Sequence, residues 1–185
     1  MDYRIRKYEN KDAQGVRDVC VGVADQMWQE KKMFRKALLT CFADYYIECE
    51  PENIFVLADS DDHVAGYVLC AADYQKYAND FNKKYLKKTL NPVARMMGKA
   101  TVNALASFAE EYPAHLHIDM YPEAQGHGFG RALIDTLKKH LTEIGVRGLM
   151  LDVAADNKGA IRFYEKCGFT LLNKGEQEIL MGIKL

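Results

Sequence analysis

A cluster of glycines separates a predicted strand from a predicted helix. Glycine has no β-carbon, so a ligand can approach its main-chain N–H group closely. In the first turn of a helix such N–H groups lack partners, and the helix dipole adds a positive partial charge. Both effects favour an anion, and we expect a phosphate group to bind here. The segment consists, in order, of Gln125, Gly126, His127, Gly128, Phe129, Gly130 and Arg131.

The spacing of these glycines argues against two common phosphate motifs. A dinucleotide fingerprint needs G-x-G-x-x-G, but Arg131 occupies the position of the third glycine. No loop of the chain contains Gly-Lys-Ser or Gly-Lys-Thr, as a P-loop does. The pattern that remains is Gln125-x-x-Gly128-x-Gly130. By itself it fits a phosphate-binding corner or a helix start that needs small residues for close packing.

The elements on either side of the glycines follow from hydrophobic periodicity. Before them, apolar and polar side chains alternate with the period of two that is typical of a strand. Pro122 ends this strand because proline has no N–H group for a sheet ladder. After them, apolar residues recur at helical intervals up to Ile144, and Gly145 is a typical C-terminal stop. The alternating strand residues are Leu116, Ile118 and Met120 against His115, His117 and Asp119.

A second motif follows the helix. Residues 148–153 read as a short buried strand, and Asn157 is a plausible N-cap for the next helix. The whole second motif consists of Asn157, Ala160, Phe163, Tyr164, Gly168 and Phe169. With both motifs, the chain closely resembles the GNAT superfamily of acyl-coenzyme A transferases between Leu116 and Phe169. Residues 112–125 are also similar to the acetyltransferase-like domain of some O-GlcNAc hydrolases.

The resemblance implies an α/β (α+β) GNAT fold. Its mixed central sheet of about seven strands is flanked by helices, and its fourth and fifth strands are parallel and splay apart. We expect one GNAT domain over residues 1–185, with a helical insertion at 73–113 after the third strand. Outside the motifs, strands are predicted at 3–8, 53–58, 63–72, 169–173 and 178–184, and helices at 11–28, 34–48, 83–90 and 93–111.

The resemblance also implies the cofactor, acetyl-CoA, and a set of site residues. Residues 125–131 hold its phosphates, and the backbone N–H near Met120 faces the thioester carbonyl. Tyr164 matches the tyrosine that acts as general acid to the coenzyme A sulfur, although it could simply pack beside Phe163. Asn157 matches a position that often hydrogen-bonds the pantetheine, although it could simply cap its helix.

The sequence does not single out the general base, the residue that takes the proton from the amine. Many family members use a glutamate early in the fourth strand, but that position falls near Ala114. Asp119 and Asp152 are our candidates, because an acid inside a buried strand is unusual unless it is paired or functional. Either acid could instead hydrogen-bond the backbone or an arginine. We expect His115 and His117 to be exposed, or buried with their hydrogen bonds satisfied.

These observations predict an enzyme that transfers an acetyl group to a primary amine of a small molecule or peptide, by direct attack on the thioester. A catalytically silent acyl-CoA-binding or sensing module is the alternative. The lysine-rich insertion could bind nucleic acid, but more often such a run is a solvated helix face. The closing strands of GNAT proteins often form dimers, so a homodimer is possible.

Composition narrows the class of protein further. The 185 residues include 25 Lys and Arg against 26 Asp and Glu, so overall charge gives no reason to expect nucleic acid. Five scattered cysteines without metal spacing favour free thiols in a reducing cytoplasm and no metal site. The N-terminus has no apolar signal core, and no apolar run is long enough to span a bilayer.

Overall fold

The computed structural model describes residues 2–185, which contain one seven-stranded sheet. Its spatial order is β1-β2-β3-β4-β5-β7-β6. Strands β4 and β5 are parallel, and every other neighbouring pair is antiparallel. The predicted mixed sheet is therefore confirmed. The strands are β1 Arg4–Lys7, β2 Phe55–Ala58, β3 Val64–Ala71, β4 Ala114–Met120, β5 Gly148–Ala154, β6 Thr170–Lys174 and β7 Glu178–Lys184.

Eight α-helices cover the two faces of this sheet in the described chain. The first six pack on one face and form a core with Tyr67, Leu69 and Met150. The last two pack on the opposite face against Leu116 and Leu149. The helices are α1 Ala13–Gly22, α2 Gln26–Glu30, α3 Lys32–Leu39, α4 Tyr45–Cys49, α5 Tyr74–Phe81, α6 Pro92–Ala106, α7 Phe129–Glu143 and α8 Lys158–Lys166.

Three helix predictions were inaccurate. The helix expected over 93–111 ends at Ala106. The helix expected over 11–28 stops at Gly22, and a short α2 begins only after a break. The helix expected over 83–90 begins at Tyr74, nine residues earlier, because the Asp73 side chain accepts a hydrogen bond from the Lys76 N–H and caps it. It then continues through a π-helical turn at Asn82–Leu86. The helix expected over 34–48 is one continuous segment, α3 and α4, joined by a π-helical turn at Thr40–Asp44.

The splay of the central strands is the feature that positions the site. Strand β4 pairs with β3 along its whole exit end, up to the pair Gly66 and Met120. Its ladder with β5 contains only two pairs, Ala114 with Leu149 and His115 with Met150. Beyond them the two strands run on without pairing, so a gap opens between residues 116–120 and residues 151–154.

Residues 2–185 lack two features that would bear on the function. In this part of the chain no helix combines the length and the apolar character needed to cross a membrane. Nor is any group of three or more His, Cys, Asp or Glu side chains there arranged to hold a metal ion.

Candidate functional site

The glycine corner presents a row of six backbone donors. The first helical hydrogen bond of α7 runs from the Ala132 N–H to the Gly128 carbonyl at 3.1 Å. Within residues 2–185 the N–H groups of residues 126–131 have no hydrogen-bond acceptor. Because they lie in one turn at the start of a helix, they form a ready anion site.

Two glycines of this corner are required by the backbone. Gly126 and Gly128 have φ angles of +78° and +84°, a region that L side chains rarely adopt. A Cβ built at either position would meet no protein atom within 4 Å. Protein packing therefore does not explain these glycines. A loop shape that leaves its N–H groups facing open space does, and this resolves the alternative of close packing at Gly128.

Gly130 is the glycine that close packing explains. A Cβ there would lie 3.1 Å from Cζ of Phe163 and 3.4 Å from Cε of Met120. The absence of a side chain lets the first turn of α7 approach both α8 and the end of β4. Both interpretations of the motif thus apply, at different glycines.

Gln125 differs from the expected pattern. Its backbone N–H donates to the Pro122 carbonyl at 3.1 Å, so the row of free donors begins at Gly126. Its side-chain amide donates to the Met120 carbonyl at 3.0 Å and ties the corner to the end of β4. At the other end of the row, the Arg131 guanidinium donates to the Lys166 carbonyl at 3.1 Å, which ties the corner to α8.

The Met120 N–H points into the gap. The Tyr121 N–H donates to the Ala65 carbonyl at 2.9 Å, so these two residues form a hydrogen-bonded pair of the β3–β4 ladder. Polar groups of an antiparallel strand alternate in direction from one residue to the next. The N–H and carbonyl of Met120 therefore face away from β3, towards the side where β5 has separated.

Tyr164 lies on α8 beside the gap. Its ring packs against Phe163 and Phe169, with centroids 5.3 Å and 5.9 Å away. Its hydroxyl makes no hydrogen bond within residues 2–185. Burial raises its pKa, and the negative charges of Asp119 and Asp152 raise it further. The phenol is therefore protonated at neutral pH and can donate.

Asp119 is held by a residue that sequence reasoning did not find. The Tyr67 hydroxyl donates to its Oδ2 at 2.6 Å, and the β3–β4 register places the two residues opposite each other. Burial raises the pKa of Asp119 to about 6, and the hydrogen bond from Tyr67 opposes that shift. Only the pairing of two distant segments brings Tyr67 here, so no local signal could have indicated it.

Asp152 lies on the same face of the sheet as Asp119 but lacks a counterpart of Tyr67 in the described chain. It follows Met150 by two residues on β5, so its side chain lies on the face covered by α1–α6. Within the described chain it makes no ion pair and no hydrogen bond to another residue. Burial raises its pKa. Its charge is near enough to raise the pKa values of Tyr46, Tyr77 and Tyr164.

His115 of β4 is buried and His117 is partly buried, and the hydrogen-bonding capacity of both is only partly satisfied. The Tyr46 hydroxyl lies 2.9 Å from Nε2 of His115. Within residues 2–185, Nδ1 of His115, Nε2 of His117 and the Tyr77 hydroxyl have no hydrogen-bond partner. Burial lowers the pKa of His117 to about 4 and that of His115 well below 6.5, so both are neutral at pH 7. The expectation of satisfied histidines was wrong for two of these atoms.

Asn157 caps α8. Its side-chain oxygen accepts a hydrogen bond from the Ala160 N–H at 3.0 Å. The capping role is therefore confirmed, and it leaves the exposed side-chain amide N–H groups without a partner in the described chain. His127 and Phe129, the remaining members of the corner, place their rings 6.3 Å apart, and Phe129 packs against Tyr3 at 5.3 Å.

The arrangement fits coenzyme A. The six free N–H groups beside open space suit a diphosphate, since each can donate to a phosphate oxygen. The gap beside the corner suits an extended arm, and the Met120 N–H, Tyr164 and Asp119 supply a backbone donor, a side-chain donor and a carboxylate.

Comparisons with known proteins agree with this geometry. A family model described as "Acetyltransferase (GNAT) family" matches residues 23–169. Mycothiol acetyltransferase of Geodermatophilus obscurus is 49% identical over 49 residues, which is 26% of this chain and 16% of that protein. The [Ribosomal protein bS18]-alanine N-acetyltransferase of Escherichia coli K12 is 32% identical over 93 residues, 50% of this chain and 60% of that protein. The chain thus spans less than two thirds of either relative.

Solved structures extend the likeness to the whole chain. The crystal structure of SsHAT has a TM-score of 0.86 and 29% identity, covering 100% of this chain and 98% of that one. The paia N-acetyltransferase of Thermoplasma acidophilum, solved with coenzyme A, has a TM-score of 0.62 and 14% identity, covering 100% of both chains. The second likeness is one of fold alone.

Proposed function

The chain belongs to the acetyltransferase (GNAT) family, and on that premise we propose that it transfers an acetyl group from acetyl-CoA to a primary amine of a small molecule or peptide. The observation that supports this most strongly is the row of free N–H groups at residues 126–131, set beside the gap between β4 and β5. An anion site and a gap for an extended thioester lie next to each other there. Acetyl-CoA, when bound, supplies an activated acyl group that an amine can attack directly.

We assign cofactor binding to the corner and its supports. The N–H groups from Gly126 to Arg131, which include those of His127, Phe129 and Gly130, donate to the phosphates. Gln125 positions the corner through the Met120 carbonyl, and Arg131 does so through α8. We assign the free amide N–H groups of Asn157 to the pantetheine. Holding the reactants in place converts a bimolecular encounter into an effectively intramolecular one.

We assign the Met120 N–H to the carbonyl oxygen of the thioester. It points into the gap and is fixed by the β3–β4 ladder, so it needs no reorganisation during the reaction. One such preorganised donor is typically worth about 10²–10³ in rate.

Asp119 is the general base in this proposal. A base must be deprotonated at working pH and still hold a proton well, and a carboxyl with a pKa of about 6 meets both conditions near pH 7. Tyr67 fixes its orientation. We assign Asp119 this role ahead of Asp152, which has no residue to orient it.

Tyr164 is the general acid. Its hydroxyl has no partner in residues 2–185 that would compete for its proton, and the raised pKa keeps it protonated. It therefore donates to the sulfur that leaves as the amide forms. General acid assistance of this kind is typically worth about 10²–10⁴ in rate.

The proposal also covers domain organisation, cellular compartment and oligomeric state. Residues 1–185 form one GNAT domain. Helices α5 and α6, which connect β3 to β4, lie beside the amine that accepts the acetyl group. Five free cysteines support a reducing compartment such as the cytoplasm. A homodimer through the closing strands β6 and β7 is part of this proposal, and sedimentation of the purified chain tests it.

Release of coenzyme A thiol tests the function itself. We expect thiol to appear when the purified protein, acetyl-CoA and a panel of primary amines are combined, with an N-acetylated product visible by mass spectrometry. Tight binding of acetyl-CoA without turnover of any amine would instead support the silent binding module.

A further inference from the structure

The acceptor side of the gap carries two carboxylates and no counter-charge. Asp119 on β4 and Asp152 on β5 lie on the face covered by α1–α6, one on each side of the gap. Within the part of the chain that the structure describes, the neutral Tyr67 hydroxyl is the only group that hydrogen-bonds the Asp119 side chain. Within residues 2–185, no lysine or arginine forms an ion pair with either carboxylate.

Without a bound ligand, keeping these two carboxylates unpaired lowers the stability of the folded protein. Both side chains are partly buried. A carboxylate that loses part of its hydration is normally paired, because otherwise it gains no compensating attraction. Where a chain maintains two such groups around one opening, a ligand is the natural source of the missing positive charge.

Unpartnered polar groups behind the gap point independently to a ligand. Tyr77 is fully buried, and its hydroxyl has no hydrogen-bond partner in the described chain. Nε2 of the partly buried His117 also has no partner there. Both lie on the face that carries the two carboxylates, and the charge of Asp152 acts on Tyr77. Because both histidines are neutral, they bring no positive charge to this face.

An alkylammonium group matches these features. It carries one positive charge and three N–H donors but no acceptor, whereas a carboxylate or a phosphate brings only acceptors and negative charge. We propose that the acceptor is a cationic diamine or polyamine, and that Asp152 binds its second, non-reacting ammonium group while Asp119 takes the proton from the reacting one. This inference rests on the proposed acetyl transfer, whose acceptor class it specifies.

Calorimetry on the protein saturated with coenzyme A tests the proposal without turnover. The probes are 1,4-diaminobutane and 4-aminobutanoate, which have similar length and opposite charge at the far end. We expect the diamine to bind at least about tenfold more tightly, as expected of one charge-assisted contact. Equal affinities, or tighter binding of 4-aminobutanoate, would overturn the proposal without the need for any variant.

Two variants locate the effect. Asp152→Asn should reduce the preference for the diamine to less than about threefold, since it removes the charge and keeps the shape. Asp156→Asn removes the same charge from an exposed position after β5 and should keep the wild-type preference. A preference that survives in Asp152→Asn would refute the assignment to Asp152. A protein that prefers the diamine but releases no thiol with any amine would contradict the proposed acetyl transfer and leave the cation selectivity standing.

Discussion

The glycine corner and the acceptor face, by which we mean Tyr67, Tyr77, Asp119 and Asp152, offer different kinds of groups to a ligand. The corner offers backbone N–H groups of six consecutive residues at the start of one helix. The acceptor face uses side chains from β3, β4, β5 and α5 that are brought together only by folding. Backbone recognition is independent of side-chain identity except where glycine is required. We therefore expect substitutions of side chains to affect the corner less than the acceptor face, except at the glycines.

The largest expected effect concerns the corner. Gly128→Glu adds a negative charge at the row of donors and a side chain at a φ of +84°. We expect the affinity for coenzyme A to fall by at least about 100-fold, because one turn of backbone loses both its shape and its electrostatic attraction. Calorimetry measures this.

Gly145→Glu is the matched control for that variant. Gly145 follows the other end of α7 with a φ of +80°, and a Cβ there would also meet nothing within 4 Å. It carries a similar conformational strain, of about 1–2 kcal/mol, without touching the corner. Equal losses of affinity in the two variants would show that strain, and not phosphate binding, explains the first result.

The next largest effect concerns Tyr164, which lies between the glycine corner and the acceptor face. Tyr164→Phe should lower kcat by about 100-fold, because the leaving sulfur loses its proton donor, while coenzyme A affinity changes by less than about threefold. Tyr74→Phe removes a buried hydroxyl far from the gap, where it donates to the Val102 carbonyl, and should leave kcat unchanged. A normal kcat in Tyr164→Phe, with chemistry rate-limiting, would make Tyr164 a packing residue.

The pH dependence of kcat/KM should report the titration of Asp119 in the acceptor face. Asp119 must be deprotonated to accept a proton, so kcat/KM should rise with pH through about 6 and then level off. Asp119→Asn should lower kcat by about 10-fold or more and abolish this acid limb. A limb that persists unchanged in Asp119→Asn would assign the titration to another group.

The smallest effect concerns Tyr67. Its hydrogen bond stabilises the charged form of Asp119 and so lowers that carboxyl's pKa. Tyr67→Phe should therefore move the acid limb above pH 6, while the plateau of kcat/KM falls by only about 10-fold or less. A pH–rate profile measures both. An acid limb that stays in place would mean that Tyr67 does not act through Asp119.

The contrast between the regions also explains what the sequence could predict. The corner, the cap at Asn157 and the end of β4 at Pro122 depend on residues adjacent in the chain, so local physical rules were sufficient. The alternation along β4 correctly separated the face of Asp119 from that of Leu116.

The acceptor face depends on contacts that no local rule describes. Tyr67 is 52 residues from Asp119 along the chain, and only the β3–β4 register joins them. The buried atoms of His117 and Tyr77 lack partners because helices pack over them from distant segments. A sequence pattern can indicate that a histidine is buried, but not that its nitrogen is left without a hydrogen bond.

The central claim is that the N–H groups of residues 126–131 hold the phosphates of coenzyme A, and amide hydrogen exchange tests it most directly. These N–H groups lack acceptors in the described chain, so they should exchange rapidly in the free protein and become strongly protected when coenzyme A is added. The amides around Gly145, at the far end of α7, should keep their exchange rates. Saturating coenzyme A that leaves residues 126–131 exchanging as fast as before would contradict the account.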